Sequence, residues 1–217
     1  MTTIDDLDLP RTDLTAAADA WVRSIEQPFL VNHSIRSYVF GRALGRTQNL
    51  EPGEDYDDEL LFLGCLLHDV GLTDSGDGDQ RFEVDGADLA VRFLTNNGLS
   101  ENRAEVVWDA IALHTSRGIA HRKRPEIALA HAGIGVDVVG GPPDLPPGLA
   151  ARTLVALPRL GLQDALRQAV VHQAATKPSK APPYTFPGEL VRTYAPDVGV
   201  PTWDDLVAAS GWDDEAT

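Results

Sequence analysis

Cysteine is almost missing from these 217 residues: Cys65 stands alone, so neither a disulfide framework nor a thiolate metal site can be built. Sitting in an apolar run, it reads as a small buried hydrophobe and not as a nucleophile. Cations are also scarce. Eighteen Lys and Arg face 33 Asp and Glu, a formal net charge of −15. A chain this acidic repels phosphate backbones and anionic lipid, which argues against nucleic-acid and membrane partners and leaves a small-molecule substrate as the expected partner. No hydrophobic run approaches the roughly 18 residues of a membrane span. The acidic start, MTTIDDLDLP, has no apolar stretch of the signal-peptide kind, and a cytoplasmic location is expected. Strands are missing too, because β-branched residues do not gather into alternating runs between hairpin turns. No internal repeat is present.

What is present is helical periodicity in a chain of ordinary globular composition, 43% hydrophobic and 24% charged. Helical patterns run over residues 11–26, 28–48, 57–71, 81–98, 100–116 and 124–141. Thr12-Asp13 and Ser100 suit N-caps, Pro28 and Pro125 suit first turns, and Gly71, Gly98 and Gly140-Gly141 suit stops. Shorter patterns follow at 149–160, 162–175 and 202–210, with a loop at 141–148 and a proline-rich stretch, 177–188, read as extended and open to a lid role. The expectation is an all-α bundle of roughly eight to ten helices. It is taken as a single domain spanning 1–217 with its core at about 28–140.

One stretch resists this bland reading. FLGCLLHDVGLT, residues 62–73, places His68 beside Asp69 at the end of an otherwise apolar helix. Burying either without a partner is costly. Neighbours on a helix diverge by about 100°, but two ligands at i and i+1 can converge on an ion lying off the helix end. Imidazole and carboxylate suit Zn, Mn, Fe or Co.

His33 precedes the doublet in VNHSIR and Asp137 follows it in GIGVDVVGG. A histidine, then a His-Asp doublet, then a distant aspartate resembles the HD superfamily of metal-dependent hydrolases. The words NHSIRSYVFG, LHDVGLT, RFEVDGADLA, WDAIALHTSRGIA and GVDVVG, in that order, look like its cyanamide hydratase-like branch. The resemblance implies an HD-domain helical bundle holding one divalent ion, zinc by branch expectation with Mn, Fe, Co or Ni as alternatives. Its ligands would be His33, His68, Asp69 and Asp137, with Asp69 and His114 as catalytic candidates.

Beside that set stand weaker candidates. Arg36, one turn beyond His33, is expected to face the site; Glu83 and Asp85 could accept from ligand imidazoles; His121 or His131 could pair with His114. No adjacent His-His pair occurs, which favours a single metal. The basic run at 121–125 reads as a solvated loop and His172 as structural. Three functions follow from the resemblance. Hydration of a small nitrile predicts a small, closed pocket with little positive charge. Phosphomonoester hydrolysis requires Arg36, Arg81, Arg117 or residues 122–124 to point inward. The third is a non-catalytic, metal-stabilised binding module. Homo-oligomerisation is left open.

Overall fold

The structure is a computed structural model that describes residues 3, 7–142 and 145–212. Residues 1–2 and 4–6 of the acidic N-terminal stretch, and residues 143–144 of the expected 141–148 loop, lie outside the described residues. Among the described residues ten α-helices follow in chain order: α1 (Asp13–Ile25), α2 (Pro28–Thr47), α3 (Asp58–Leu67), α4 (Phe82–Asn96), α5 (Glu101–Leu113), α6 (Pro125–Val139), α7 (Leu149–Ala156), α8 (Leu162–Thr176), α9 (Phe186–Tyr194) and α10 (Trp203–Ala208). Among the described residues there is no strand, only an isolated bridge between Pro52 and Tyr56. No helix among them is long and apolar enough to cross a membrane.

Local chemistry sets the helix starts. Thr12 and Thr15 form a reciprocal capping box at α1, the Asp57 side chain accepts from the Leu60 N–H at α3, and Pro28 and Pro125 occupy first turns of α2 and α6. The α9 helix corrects the reading of 177–188 as wholly extended. Thr185 caps it by accepting from Gly188 N–H, and Pro187 sits in its first turn, so PYTFPG is a helix start.

The α3 helix runs through the centre. Every residue from Leu60 to Leu67 is buried, and α1, α2, α5 and α6 surround it. A helix enclosed on all sides is apolar all round, which is why 60–67 shows little amphipathicity. The α2–α6 pair makes the most extensive helix contact. These helices cross at Gly41 and Gly133, where a Cβ on Gly133 would run into the Ser37 carbonyl and one on Gly41 would lie 2.6 Å from the Leu129 carbonyl oxygen. This close approach brings His33 of α2 to Asp137 of α6. A second close approach, Gly71 against Gly86, explains a glycine inside α4: its Cβ would lie 2.9 Å from Gly71 N.

The crossing yields a paired prediction. Gly133→Ala should destabilise the fold by about 1–3 kcal/mol or more through overpacking. Gly135→Ala, one residue pair along and with open space around the added carbon, should stabilise by about 0.5–1 kcal/mol, the ordinary helix-interior preference for Ala. Urea unfolding of the two variants checks this; equal effects would contradict the crossing.

The C-terminal helices are fastened to the loop that follows the His68-Asp69 doublet. Lys180, only 2% exposed, places Nζ 2.6 Å from Asp85 Oδ2 and 3.2 Å from Asp77 Oδ1. Lys177 Nζ donates to Asp77 O, and Gln173 Nε2 donates to Gly71 O at 2.9 Å. Asp85 therefore serves this clamp and not an imidazole, and residues 177–180 are a fastening and not a free flap.

Candidate metal centre

Helix ends deliver the key side chains. His68 caps the C-terminus of α3 in helical geometry, and Asp69 then leaves it at φ −106°, ψ 6°. That break turns the Asp69 carboxylate back toward its neighbour, so adjacent residues converge where a continuing helix would separate them. His33 enters from the second turn of α2. Donor atoms of His33, His68 and Asp69 all lie within 4.8 Å of one another, and all three residues are buried. Asp69 Oδ2 is 3.2 Å from His68 Nε2 and 3.9 Å from His33 Nε2.

The proton positions follow from the outer hydrogen bonds. His68 Nδ1 donates to Cys65 O at 2.7 Å, and since a carbonyl cannot donate, the Nε2 of the neutral ring carries a lone pair. His114 Nδ1 donates to Ile111 O in the same way, and His131 Nδ1 to His114 O. His33 Nδ1 donates to Asp137 Oδ2 at 2.7 Å. Two acceptors, His68 Nε2 and Asp69 Oδ2, are thus buried face to face with no hydrogen-bond partner. Such an arrangement is costly unless a proton or a cation lies between. Two imidazoles and a carboxylate fit a borderline divalent ion.

A proton and a cation would compete for this space. Burial works against the His68 imidazolium, but the Asp69 carboxylate outweighs it, and the pKa of His68 rises above its ordinary 6.5. Metal affinity should therefore fall as pH drops through neutrality, with up to one proton released per ion bound. Chelator competition across pH 6 to 9 measures this; an affinity independent of pH would contradict the site. Asp69 itself is held well below the usual carboxylate range: burial opposes this, and His68 outweighs it. Burial lowers the pKa of His33. Burial, then the charge on His68, brings His114 down to about 4.

Asp137 differs from the expected four-ligand set. Both its oxygens are taken: Arg36 Nε donates to Oδ1 and Nη2 to Oδ2, each at 2.7 Å, and His33 shares Oδ2. It does not join the three-residue group. It stands behind His33 as the carboxylate that fixes that ring's tautomer and orientation. Arg36, fully buried, is consumed by this carboxylate and by the carbonyls of Leu157 and Pro158, so it does not face the cavity as expected. Glu83, also buried, accepts from Arg81 Nη2 at 2.6 Å and Thr115 Oγ1 at 2.7 Å and touches no ligand imidazole. His121 is exposed on a 3-10 turn, Ala120–Arg122, away from the cavity, and His131 lines the cavity instead.

That cavity, of about 420 Å³, reaches His33, His68 and Asp69 and is lined also by His114, Thr115 and Arg117. The His114 ring meets His68 edge-on, centroids 4.9 Å apart, and Phe82 at 5.6 Å. The remaining wall is mostly apolar, from Phe82, Ile134, Val138, Val139, Leu166 and Phe186. Sequence reasoning missed these wall residues. The α6 part was legible as a stripe, 131, 134, 135 and 138, at helical spacing. Leu166 and Phe186 carried no local signal, since only the tertiary packing of α8 and α9 brings them here. One further buried acid was missed. Glu26, at the end of α1, has both carboxyl oxygens unpaired, and burial, then Asp69, raises its pKa well above the ordinary value.

Over an 88-residue stretch the chain is 34% identical to the cyanamide hydratases DDI2 and DDI3 of Saccharomyces cerevisiae, covering 39% of this chain and 38% of each relative. The chain thus matches well under two thirds of the length of these curated relatives. The HD domain pattern matches residues 30–141, from before His33 to after Asp137. With more than half of its residues inside that match and its buried His33, His68 and Asp69 in the pattern's order, the chain belongs to the HD domain family.

Proposed function

We propose that this chain is a metal-dependent enzyme that adds water across the carbon–nitrogen triple bond of a small nitrile. The observation that carries the reading is the pair of unpartnered buried acceptors, His68 Nε2 and Asp69 Oδ2, opening on a cavity beside His114. His33, His68 and Asp69 would hold one divalent ion, zinc favoured. When bound, the ion supplies Lewis acidity that brings the pKa of water toward about 7.

The chain's own groups handle protons. Because the pKa of His114 is about 4 and its Nδ1–H is committed to Ile111 O, its Nε2 is a proton acceptor at neutral pH. It would take a proton from the attacking water as oxygen bonds to the nitrile carbon. The same proton then passes to the nitrogen, which receives the electron pair of the breaking π bond. The resulting imidic acid tautomerises to an amide. Asp137, itself held by Arg36, accepts directly from His33 Nδ1 and so keeps His33 in the tautomer whose Nε2 would be available to an ion.

Phosphomonoester hydrolysis has weaker support because its cations are engaged elsewhere. Arg36 is bound to Asp137, Arg81 to Glu83, Lys123 to Asp109 and Arg124 to Glu126, and Arg122 is exposed on its 3-10 turn outside the cavity lining, so Arg117 alone of the named candidates lines the cavity. A passive metal-stabilised module does not account for a neutral imidazole beside the ion site in an accessible cavity. Metal-loaded protein should form amide or urea from nitriles and cyanamide, and His114→Gln should retain metal while losing about 10²–10⁴-fold in kcat. Phosphate release from nucleoside monophosphates without any amide would overturn the assignment.

A further inference from the structure

The cavity is not the small, closed pocket expected for the smallest nitrile. Cyanamide has three non-hydrogen atoms, whereas the cavity measures about 420 Å³, and a water molecule's share of the liquid is about 30 Å³. The three ligand donors form one compact patch, within 4.8 Å of one another with His114 edge-on against His68, and Thr115, Arg117 and His131 are the other polar lining residues. Hydrocarbon begins directly beside them. Phe82 meets the His114 ring at 5.6 Å and Phe186 at 6.5 Å, and Leu166 is buried in the same apolar cluster. A molecule with one polar end and an apolar body matches this division, and small-molecule sites are commonly built this way.

Part of the apolar wall has a separate origin from the ligand set: Phe82, Ile134, Val138 and Val139 lie inside the HD match, but Leu166 and Phe186 do not. The HD match ends at residue 141, whereas Leu166 belongs to α8 and Phe186 to α9. These helices are held in place by Lys180 on Asp85 and Gln173 on Gly71, so the wall is a fixed surface and not a collapsed loop. A group of three atoms would leave it facing water, with no contribution from its apolar area to binding.

Resting on the nitrile-hydration reading, we infer that the preferred substrate is a nitrile with a compact apolar substituent, branched aliphatic or aromatic, and that Phe186 and Leu166 set this preference. Burial of each added methylene should tighten binding about fourfold until the wall is covered.

The test pairs binding with turnover. Calorimetry on metal-loaded protein follows urea, acetamide, isobutyramide and benzamide, and kinetics compare cyanamide with isobutyronitrile and benzonitrile. Expected are affinities rising along the amide series and a kcat/KM for the apolar nitriles at least tenfold above that for cyanamide. Phe186→Ala should reduce that ratio about tenfold, mainly through KM, and Phe186→Leu should reduce it less. Urea binding as well as benzamide, or a ratio unchanged in folded Phe186→Ala, overturns the inference. Cyanamide turnover without any apolar preference sinks this inference alone. A rising amide series without nitrile turnover supports the apolar pocket and removes the hydration reading.

Discussion

Asp69→Asn is expected to reduce affinity for the divalent ion by at least about 100-fold, and activity with it. Even residues standing behind a metal ligand cost about 10–100-fold when changed, and Asp69 is the one formal negative charge among the three donors. The substitution keeps the shape of the side chain and removes its charge, which separates electrostatics from packing. Stability should move in the opposite direction. In metal-free wild type above the pKa of His68, Asp69 Oδ2 and His68 Nε2 are both lone-pair donors 3.2 Å apart and unsatisfied. An asparagine can turn its amide N–H toward His68 and relieve this. The metal-free variant at pH 9 should therefore melt no lower than wild type, with a gain of up to about 1–3 kcal/mol. Added zinc should raise the wild-type Tm by mass action and stabilise the variant less, by about 2.7 kcal/mol or more at saturating zinc. Calorimetric scans with and without zinc check both halves; a variant stabilised by zinc as much as wild type contradicts the role given to Asp69.

Arg36→Met carries the largest expected cost in stability, about 3–5 kcal/mol, because it strips a bidentate partner from a carboxylate that is 2% exposed. Met preserves most of the buried hydrocarbon of the arginine, so the loss reports the charge and not a cavity. A background of Asp137→Asn should recover a substantial part of that loss, since an apolar or neutral pair avoids the stranded charge. The pH dependence gives a second signature. Burial raises the pKa of Asp137, but hydrogen bonds from His33 and Arg36 outweigh it and bring the group down to about 2 from 3.8. A depressed carboxyl contributes stability that is fully present above about pH 3.8 and is lost as pH falls through about 2. Wild type should lose stability across that window, and Arg36→Met should lose less there because part is already gone. Denaturant unfolding at pH 2 to 7 measures it, and a neutral Arg36→Met would refute the buried clamp.

Most of the helices were readable because caps and prolines are local signals: Thr12, Pro28 and Pro125 each mark a start where the chain begins a helix, while Ser100 precedes α5 without a side-chain cap bond. The α9 helix was hidden behind a run of prolines, with Thr185 its only clear cap. His33, His68 and Asp69 were legible through their order along the chain, and they do meet. The partners of Asp137 were not, because a sequence shows that an acid is near but not which groups donate to it. Arg36, one turn from His33, competes for that carboxylate and wins both oxygens. The same limit applies to Glu83, whose partner Arg81 is its neighbour at the start of α4 but whose partner Thr115 is 32 residues away. His121 and His131 were equally plausible by type and spacing, and only the packing of α6 decides that 131 lines the cavity.

The most direct measurement is anomalous scattering from a zinc-loaded crystal, recorded on both sides of the metal edge. The proposed centre predicts one strong peak per chain bonded to His33 Nε2, His68 Nε2 and an Asp69 oxygen at about 2.0–2.2 Å, with Arg36 still holding both oxygens of Asp137. No peak between these three residues, or a peak held by other side chains, would contradict it.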